Sequence, residues 1–242
     1  IRAVRDIISE EIKDGWNVVA VVSAMSKETN KLIDLAKQVG VENLVDPEYD
    51  ALISTGEDVS SSLLAIALNS IEISSRSWRG WQLPIRTDSF HSNAKIEEIN
   101  TNQIINSFKE GVKVAVVSGF QGMEQAGRIT TLGRGGSDTS AVAIAAAIDA
   151  ERCDIYTDVS GIYTTDPRIK KNASKLKKIS FEEMLEMASL GANVLQTRAV
   201  ELAMRHKVPI RVLNSFLKEE GTLVCDEEEI MAVSYTHLRA HE

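Results

Sequence analysis

The apolar positions along this chain change period several times, and each change marks an element. Ile1, Val4, Ile8 and Ile12 recur at helical spacing among Arg, Asp and Glu, so the chain opens in an amphipathic helix that Gly15 ends. Residues 17–22 form a near-continuous apolar run of the kind that buried parallel strands show. Helical patterns follow over 29–39 and about 51–69, then a strand-like stretch over 73–78. Residues 81–100 are turn-rich and polar, and Asn100 with Gln103 makes a capping pair for a helix reaching Glu110. Residues 112–117 predict a second buried strand, 137–150 an Ala-rich helix and 153–157 another strand. Ser180 and Glu183 spell a capping box for a helix to Leu190; a further helix runs to His206, and 208–213 is strand-like around Pro209.

Strands alternating with helices predict an α/β fold: a mostly parallel central sheet with helices on both faces, in one domain over residues 1–225. Residues 226–242 are expected to be a linker remnant and a non-native tail, since the last ten fit neither period.

Composition narrows the function. The chain has 242 residues with 27 Lys+Arg against 35 Asp+Glu, a formal net charge of −8, which argues against broad binding to nucleic acid or anionic membrane. With 43% hydrophobic and 26% charged residues, disorder and fibrous repeats are excluded. No apolar run approaches the ~18 residues of a membrane span, and no secretory signal is read at the start. Cys153 and Cys225 form no CxxC, so neither a disulfide framework nor a metal site is expected. A soluble protein of a reducing compartment is the expectation.

The candidate chemistry centres on Gly133-Arg134-Gly135-Gly136-Ser137-Asp138, which leads into the Ala-rich helix. Glycines let backbone N–H groups approach a ligand, the helix start favours an anion, and Arg134 offers a planar fork for a carboxylate or phosphate. The same run also serves as an ordinary tight turn and cap. It has Asp where a dinucleotide fingerprint has its last glycine, and a turn-rich segment precedes it. Gly122 to Gly127 has P-loop spacing but no Lys-Ser/Thr after it. Glu57, following Gly56 early in a helix, is either a solvated carboxylate or a ligand group. Residues 155–168 leave a strand for a polar loop, where α/β sheets place ligands.

Taken together, Val22-Ser23-Ala24-Met25, Ser54-Thr55-Gly56-Glu57, Gly119-Phe120-Gln121-Gly122, the glycine run, Thr157-Asp158 through Arg168, residues 181–190 and Leu195-Gln196-Thr197-Arg198 resemble aspartate kinase, of the amino-acid-kinase superfamily. The resemblance covers nearly all of residues 1–224 and implies an αβα sandwich. It implies transfer of the ATP γ-phosphoryl group to the side-chain carboxylate of L-aspartate, the first step of lysine, threonine and methionine biosynthesis. A cytoplasmic enzyme, homo-oligomeric in its intact form, goes with it. On this resemblance Ser23, Thr29, Glu57, Arg134, Gly135, Gly136 and Ser137 belong to the aspartate side, Glu57 facing the ammonium and Arg134 the α-carboxylate. Arg134 and Asp138 would be catalytic, Asp138 as an organising acid near the phosphoryl group. Thr157, Asp158, Tyr163, Arg168 and Asn193 would serve ATP, and Mg²⁺ would be held mainly by the nucleotide phosphates. A carboxylate nucleophile is already ionised at neutral pH and needs no base. His91 and His206 are therefore expected to be a polar-loop residue and a helix-terminus residue.

Three departures from the resemblance stand out. The sequence starts after the family's opening strand and Lys-Phe-Gly-Gly-Thr-Ser-type turn, so one strand and one phosphate-binding Lys are expected to be missing. Asn193 replaces a Lys, and the regulatory ACT domains that follow in the family are expected to be missing. Impaired activity of this chain is the resulting expectation. Glu57 with Arg134 suits a zwitterion, whereas glutamate, acetylglutamate or UMP kinases, or a non-catalytic binding subunit, remain the alternatives. The Lys170, Lys171, Lys175, Lys177 and Lys178 cluster is expected to be a solvated loop, and Trp78 and Trp81 to pack rather than stack on adenine.

Overall fold

In the computed structural model, which describes residues 1–40, 45–166, 169–170, 172–191, 194–228 and 230, the periods resolve into two units, residues 1–148 and residues from 149 onward. Arg168, Asn193 and residues 231–242 lie outside the described residues.

The first unit runs α1 (Arg2–Lys13), β1 (Val18–Val22), α2 (Glu28–Gln38), α3 (Pro47–Ile53), α4 (Thr55–Asn69), β2 (Ser75–Trp78), β3 (Ile85–Thr87), β4 (Ile96–Ile99), α5 (Asn102–Lys109), β5 (Val114–Ser118), β6 (Gln121–Met123), β7 (Ile129–Thr131) and α6 (Gly136–Ala147). β1 and β2 flank β5, both parallel to it, with Val22 opposite Ser118 and Trp78 opposite Val117. All five residues of β5 are buried. Val114 and Val116 join Ile8, Leu64, Ala65 and Leu68 from α1 and α4, while Ala115 and Val117 join Trp78, Ile85, Ile104 and Ile144 from the opposite side. A strand covered on both faces has no polar alternation, which is why its sequence reads as a continuous apolar run. β1, paired on one side in the described sheet, is only half-buried throughout. Short strands form a second sheet in the order β4-β3-β6-β7, where only β3 and β6 are parallel.

Several boundaries differ from the sequence expectation. The helix expected from residue 51 starts at Pro47, because Asp46 caps it by accepting a bond from the Glu48 N–H at 2.6 Å. The supposed capping pair of α5 is a different device: Asn100 accepts from the Asn102 N–H at 3.1 Å, and Thr101 occupies the N-cap. The polar 81–100 stretch holds β3 and β4, and β7 rather than a bare turn precedes the glycine run. Residues 47–69 form a helical stretch long and apolar enough for a membrane span by composition. Its apolarity is accounted for by the packing of Leu64, Ala65 and Leu68 against β5.

The second unit contains β8 (Cys153–Thr157), β9 (Lys178–Ser180), α7 (Phe181–Ser189), α8 (Thr197–His206), β10 (Ile210–Asn214) and β11 (Thr222–Cys225). Its sheet has the order β8-β10-β11-β9, parallel except for the β10–β11 pair. The Ser180–Glu183 capping box forms in both directions, and α8 ends on Arg205 and His206, where the helix dipole favours cations. Gly221 is required where it stands: a Cβ there would come within 2.8 Å of the Val212 carbonyl carbon.

Thr222 ties the polar loop after β8 to β11. Its fully buried hydroxyl accepts from the Ile162 N–H at 2.9 Å and donates to the Leu176 carbonyl at 2.6 Å. Thr222→Val keeps the shape and leaves both groups unpaired, a loss of about 1–3 kcal/mol. Chemical denaturation should show that loss; an unchanged midpoint would show the hydroxyl to be dispensable.

Candidate active site

The carboxyl ends of β1 and β5 lie side by side, joined by the Gly119 N–H donating to the Val22 carbonyl at 3.0 Å. Ser23 and Ala24 follow β1 directly, with Ser23 exposed. α4 starts against this edge so closely that a Cβ on Gly56 would sit 2.9 Å from the Ala24 Cβ. That approach buries Glu57, which is 4% exposed. The Ala24 N–H donates to Glu57 Oε1 at 3.0 Å, whereas Oε2 is buried with no partner. Burial pushes the carboxyl from its ordinary 4.5 up to about 7, against two backbone N–H bonds that lower it, with a small further push from Asp58. Glu57 is therefore not the solvated carboxylate its helix position alone allowed.

The glycine run forms the other wall. Gly133 and Gly135 adopt φ of +76° and +69°, and Gly135 is the N-cap of α6. Gly136 is buried where a Cβ would meet Leu132 and Phe120 at 2.9 Å. A Cβ on Gly119 would stand 3.0 Å from the Ser137 hydroxyl, so the start of α6 abuts the end of β5. The structure thus gathers Glu57, the Ser23–Ala24 backbone and Ser137 around one sheet edge. Arg134 is exposed at the turn, Thr29 is half-buried in the first turn of α2, and Ser137 and Asp138 are half-buried in the first turn of α6. Burial raises the Asp138 carboxyl to about 6. The N–H groups of a helix start together with a guanidinium suit a carboxylate or phosphate.

Sequence reasoning missed the supports of this edge. Asp58 Oδ1 accepts from Ser118 Oγ at 2.9 Å and Gln121 Nε2 at 3.1 Å, and Arg79 stands 3.6 Å from Oδ2. Gln121 Oε1 in turn takes the Gly80 N–H at 3.1 Å. His91 is more than a polar-loop residue, since its Nδ1 lies 2.9 Å from Asp50 Oδ2. The hydrogen-bonded pairs among these are 41 to 63 residues apart in sequence, beyond the reach of any local pattern.

In the second unit, Thr157 ends β8 opposite Asn214 at the end of β10, and its hydroxyl donates to the exposed Asp158 at 3.2 Å. Asn214, unforeseen, takes the N–H groups of Phe216 and Leu217 at 2.8 and 3.0 Å and reaches Ser160 at 3.2 Å. Tyr163 bridges to Lys175 across the polar loop. Lys175 is not simply solvated: it donates to the Glu220 carbonyl at 2.6 Å and pairs with Glu219 at 3.4 Å. Trp78 packs in the core under Arg76, 4.1 Å from its ring centre, while Trp81 is half exposed.

A family model described as the amino acid kinase family matches residues 1–214. An aspartate kinase of Stutzerimonas stutzeri is 54% identical over 229 residues, which cover 93% of this chain and 55% of that protein. The chain thus spans about half the length of the curated relatives it matches. The crystal structure of aspartate kinase from Synechocystis matches with a TM-score of 0.80 at 45% identity, covering 93% of this chain and 37% of that one. Aspartokinase III of E. coli, in complex with aspartate and ADP, matches with a TM-score of 0.72 at 35% identity, over 81% of this chain and 44% of that one.

The raised Glu57 carboxyl has a sign. The native state keeps a proton that the unfolded chain releases near 4.5, so stability is greatest below that pH and falls as pH rises to about 7. The full penalty is about 3 kcal/mol above pH 7. Glu57→Gln should therefore raise the melting temperature at pH 8 and change it little at pH 4. A variant no more stable than the parent at pH 8 would contradict the burial argument.

Proposed function

The chain belongs to the amino acid kinase family, and we propose that its protein transfers the ATP γ-phosphoryl group to the side-chain carboxylate of L-aspartate, residues 1–225 forming the catalytic domain. One observation carries the reading: Glu57 is a buried carboxyl with one oxygen fixed by the Ala24 N–H and the other unsatisfied. Such an oxygen is completed by a cationic donor, and the ammonium of an amino acid supplies one. An N-acetylated acid or UMP offers no such cation.

In this reading Glu57 takes the ammonium and ionises as it does so. Arg134 takes the α-carboxylate, with Ser23, Thr29, Gly135, Gly136 and Ser137 closing around the ligand. The β-carboxylate is ionised at neutral pH and attacks phosphorus without a base, so the protein's tasks are alignment and charge neutralisation. Asp138 organises the reacting end from the first turn of α6. The second unit provides the nucleotide groups Thr157, Asp158 and Tyr163, with Arg168 and Asn193 assigned to the phosphates. Among the described residues no three His, Cys, Asp or Glu come together as a metal cage. Mg²⁺ suits phosphate oxygens and needs no such cage, so the nucleotide would hold it, and it would neutralise the phosphate charge. The two buried thiols suit a reducing compartment, so a cytoplasmic location belongs to the same proposal; a homo-oligomeric intact protein is proposed with it on the family likeness alone.

Trapping the acyl phosphate with hydroxylamine tests the proposal. Aspartate with ATP and Mg²⁺ should yield hydroxamate, and neither N-acetylaspartate nor UMP should serve as acceptor. Glu57→Gln should raise the KM for aspartate by about ten- to hundred-fold, the worth of one charge-assisted bond, with the KM for ATP nearly unchanged. Preference for an acetylated acid or UMP, in turnover or in ligand-induced melting shift, would overturn the assignment.

A further inference from the structure

Asp50 is a carboxylate with no exposed surface, set on α3 and not among the residues assigned to substrate. Its Oδ1 accepts from Ser92 Oγ at 3.2 Å, the Ser92 N–H at 3.1 Å and Thr131 Oγ1 at 2.7 Å. Its Oδ2 accepts from the Ser92 N–H at 2.9 Å, the Thr131 N–H at 3.0 Å and His91 Nδ1 at 2.9 Å. A carboxylate oxygen only accepts, so the His91 proton sits on Nδ1. A buried carboxylate is tolerable only when donors surround it. Here the donors come from two places, the loop at 91–92 and the end of β7.

Both places border the turn that carries Arg134. Thr131 precedes Gly133 by two residues, and the Ala94 N–H donates to the Thr131 carbonyl at 2.9 Å. A Cβ on Gly133 would lie 2.9 Å from Asn93 Oδ1 and 3.1 Å from the Ser92 carbonyl oxygen. The loop therefore forms the floor on which the turn rests. Ser92 and Gly133 both have positive φ, +63° and +76°. For Ser92 that conformation is unfavourable on its own and persists only where the surroundings fix it. The three bonds from Ser92 to Asp50 do so.

We propose that Asp50 and His91 are positioning residues that hold the 133–136 turn, and with it Arg134, in the conformation that grips the substrate's α-carboxylate. The proposal rests on the assignment of Arg134 to that carboxylate. Neither residue touches the substrate; they act through Ser92, Thr131 and the packing of Asn93 on Gly133. His91 is the informative one to change, because its replacement leaves the five bonds from Ser92 and Thr131 backbone and hydroxyl groups largely in place and loosens only one side of the node.

His91→Ala should weaken aspartate binding about ten-fold by calorimetry, the effect of one lost hydrogen bond, and leave ADP binding within about two-fold. His91→Asn, whose amide can donate near the place of Nδ1, should recover most of the affinity. In the ligand-free protein, amides 131–137 should exchange hydrogen faster in His91→Ala than in the parent, while those of β8 keep their rates. Unchanged exchange at 131–137, equal losses for aspartate and ADP, or no recovery in His91→Asn would overturn the proposal. If the parent binds no aspartate, the functional assignment fails, and the exchange rates still decide whether the node positions the turn. Should His91→Ala lose its melting transition, Ser92→Ala, which removes only the hydroxyl bond, carries the same comparison.

Discussion

The contact of Gly56 with Ala24 sets the chemistry of the first unit. A helix start pressed so near a strand end leaves no volume for a Cβ, so the next side chain enters a space closed to water. The Ala24 N–H holds one oxygen of Glu57 there, and the other oxygen is buried without a partner. Solvent exclusion makes the carboxyl reluctant to ionise alone and strengthens its attraction to any cation that arrives. The same closeness thus creates both the stability penalty and the attraction to a cation.

Around that point the unit spends polar groups on holding backbone still. Asp58, Ser118, Gln121 and Arg79 lock the ends of α4, β5 and β2 to one another. Asp50 does the same for α3, β7 and the 91–92 loop. In the second unit Thr222 and Asn214 anchor the loops that follow β8 and β10. In each case a short side chain with two or more bonds ties a loop to a regular element, which is how a site made of loops keeps its geometry.

Much of this was legible in the sequence where physics is local. Continuous apolar runs announced β1 and β5, the Ser180–Glu183 spacing announced the start of α7, and the glycines before α6 announced a tight turn. The α/β class and the predominance of parallel pairing followed from the alternation of elements. Strands of three or four residues such as β3, β6 and β7 were illegible, because they are too short to show a period and are held by neighbours far along the chain. Of the site, the motif residues could be named, but not the burial of Glu57 or the contact of His91 with Asp50. Both depend on segments that meet only in the folded unit. Asp46-Pro47 was a readable helix start that periodicity alone overlooked.

Both cysteines, Cys153 and Cys225, lie buried in the second unit's sheet, and the first 148 residues contain none. A thiol shielded in a strand is inert to alkylating reagents until its surroundings open. The chain therefore carries a built-in reporter for one half of itself. Iodoacetamide uptake follows the opening of the second unit, while events confined to the half bearing Glu57 leave it silent.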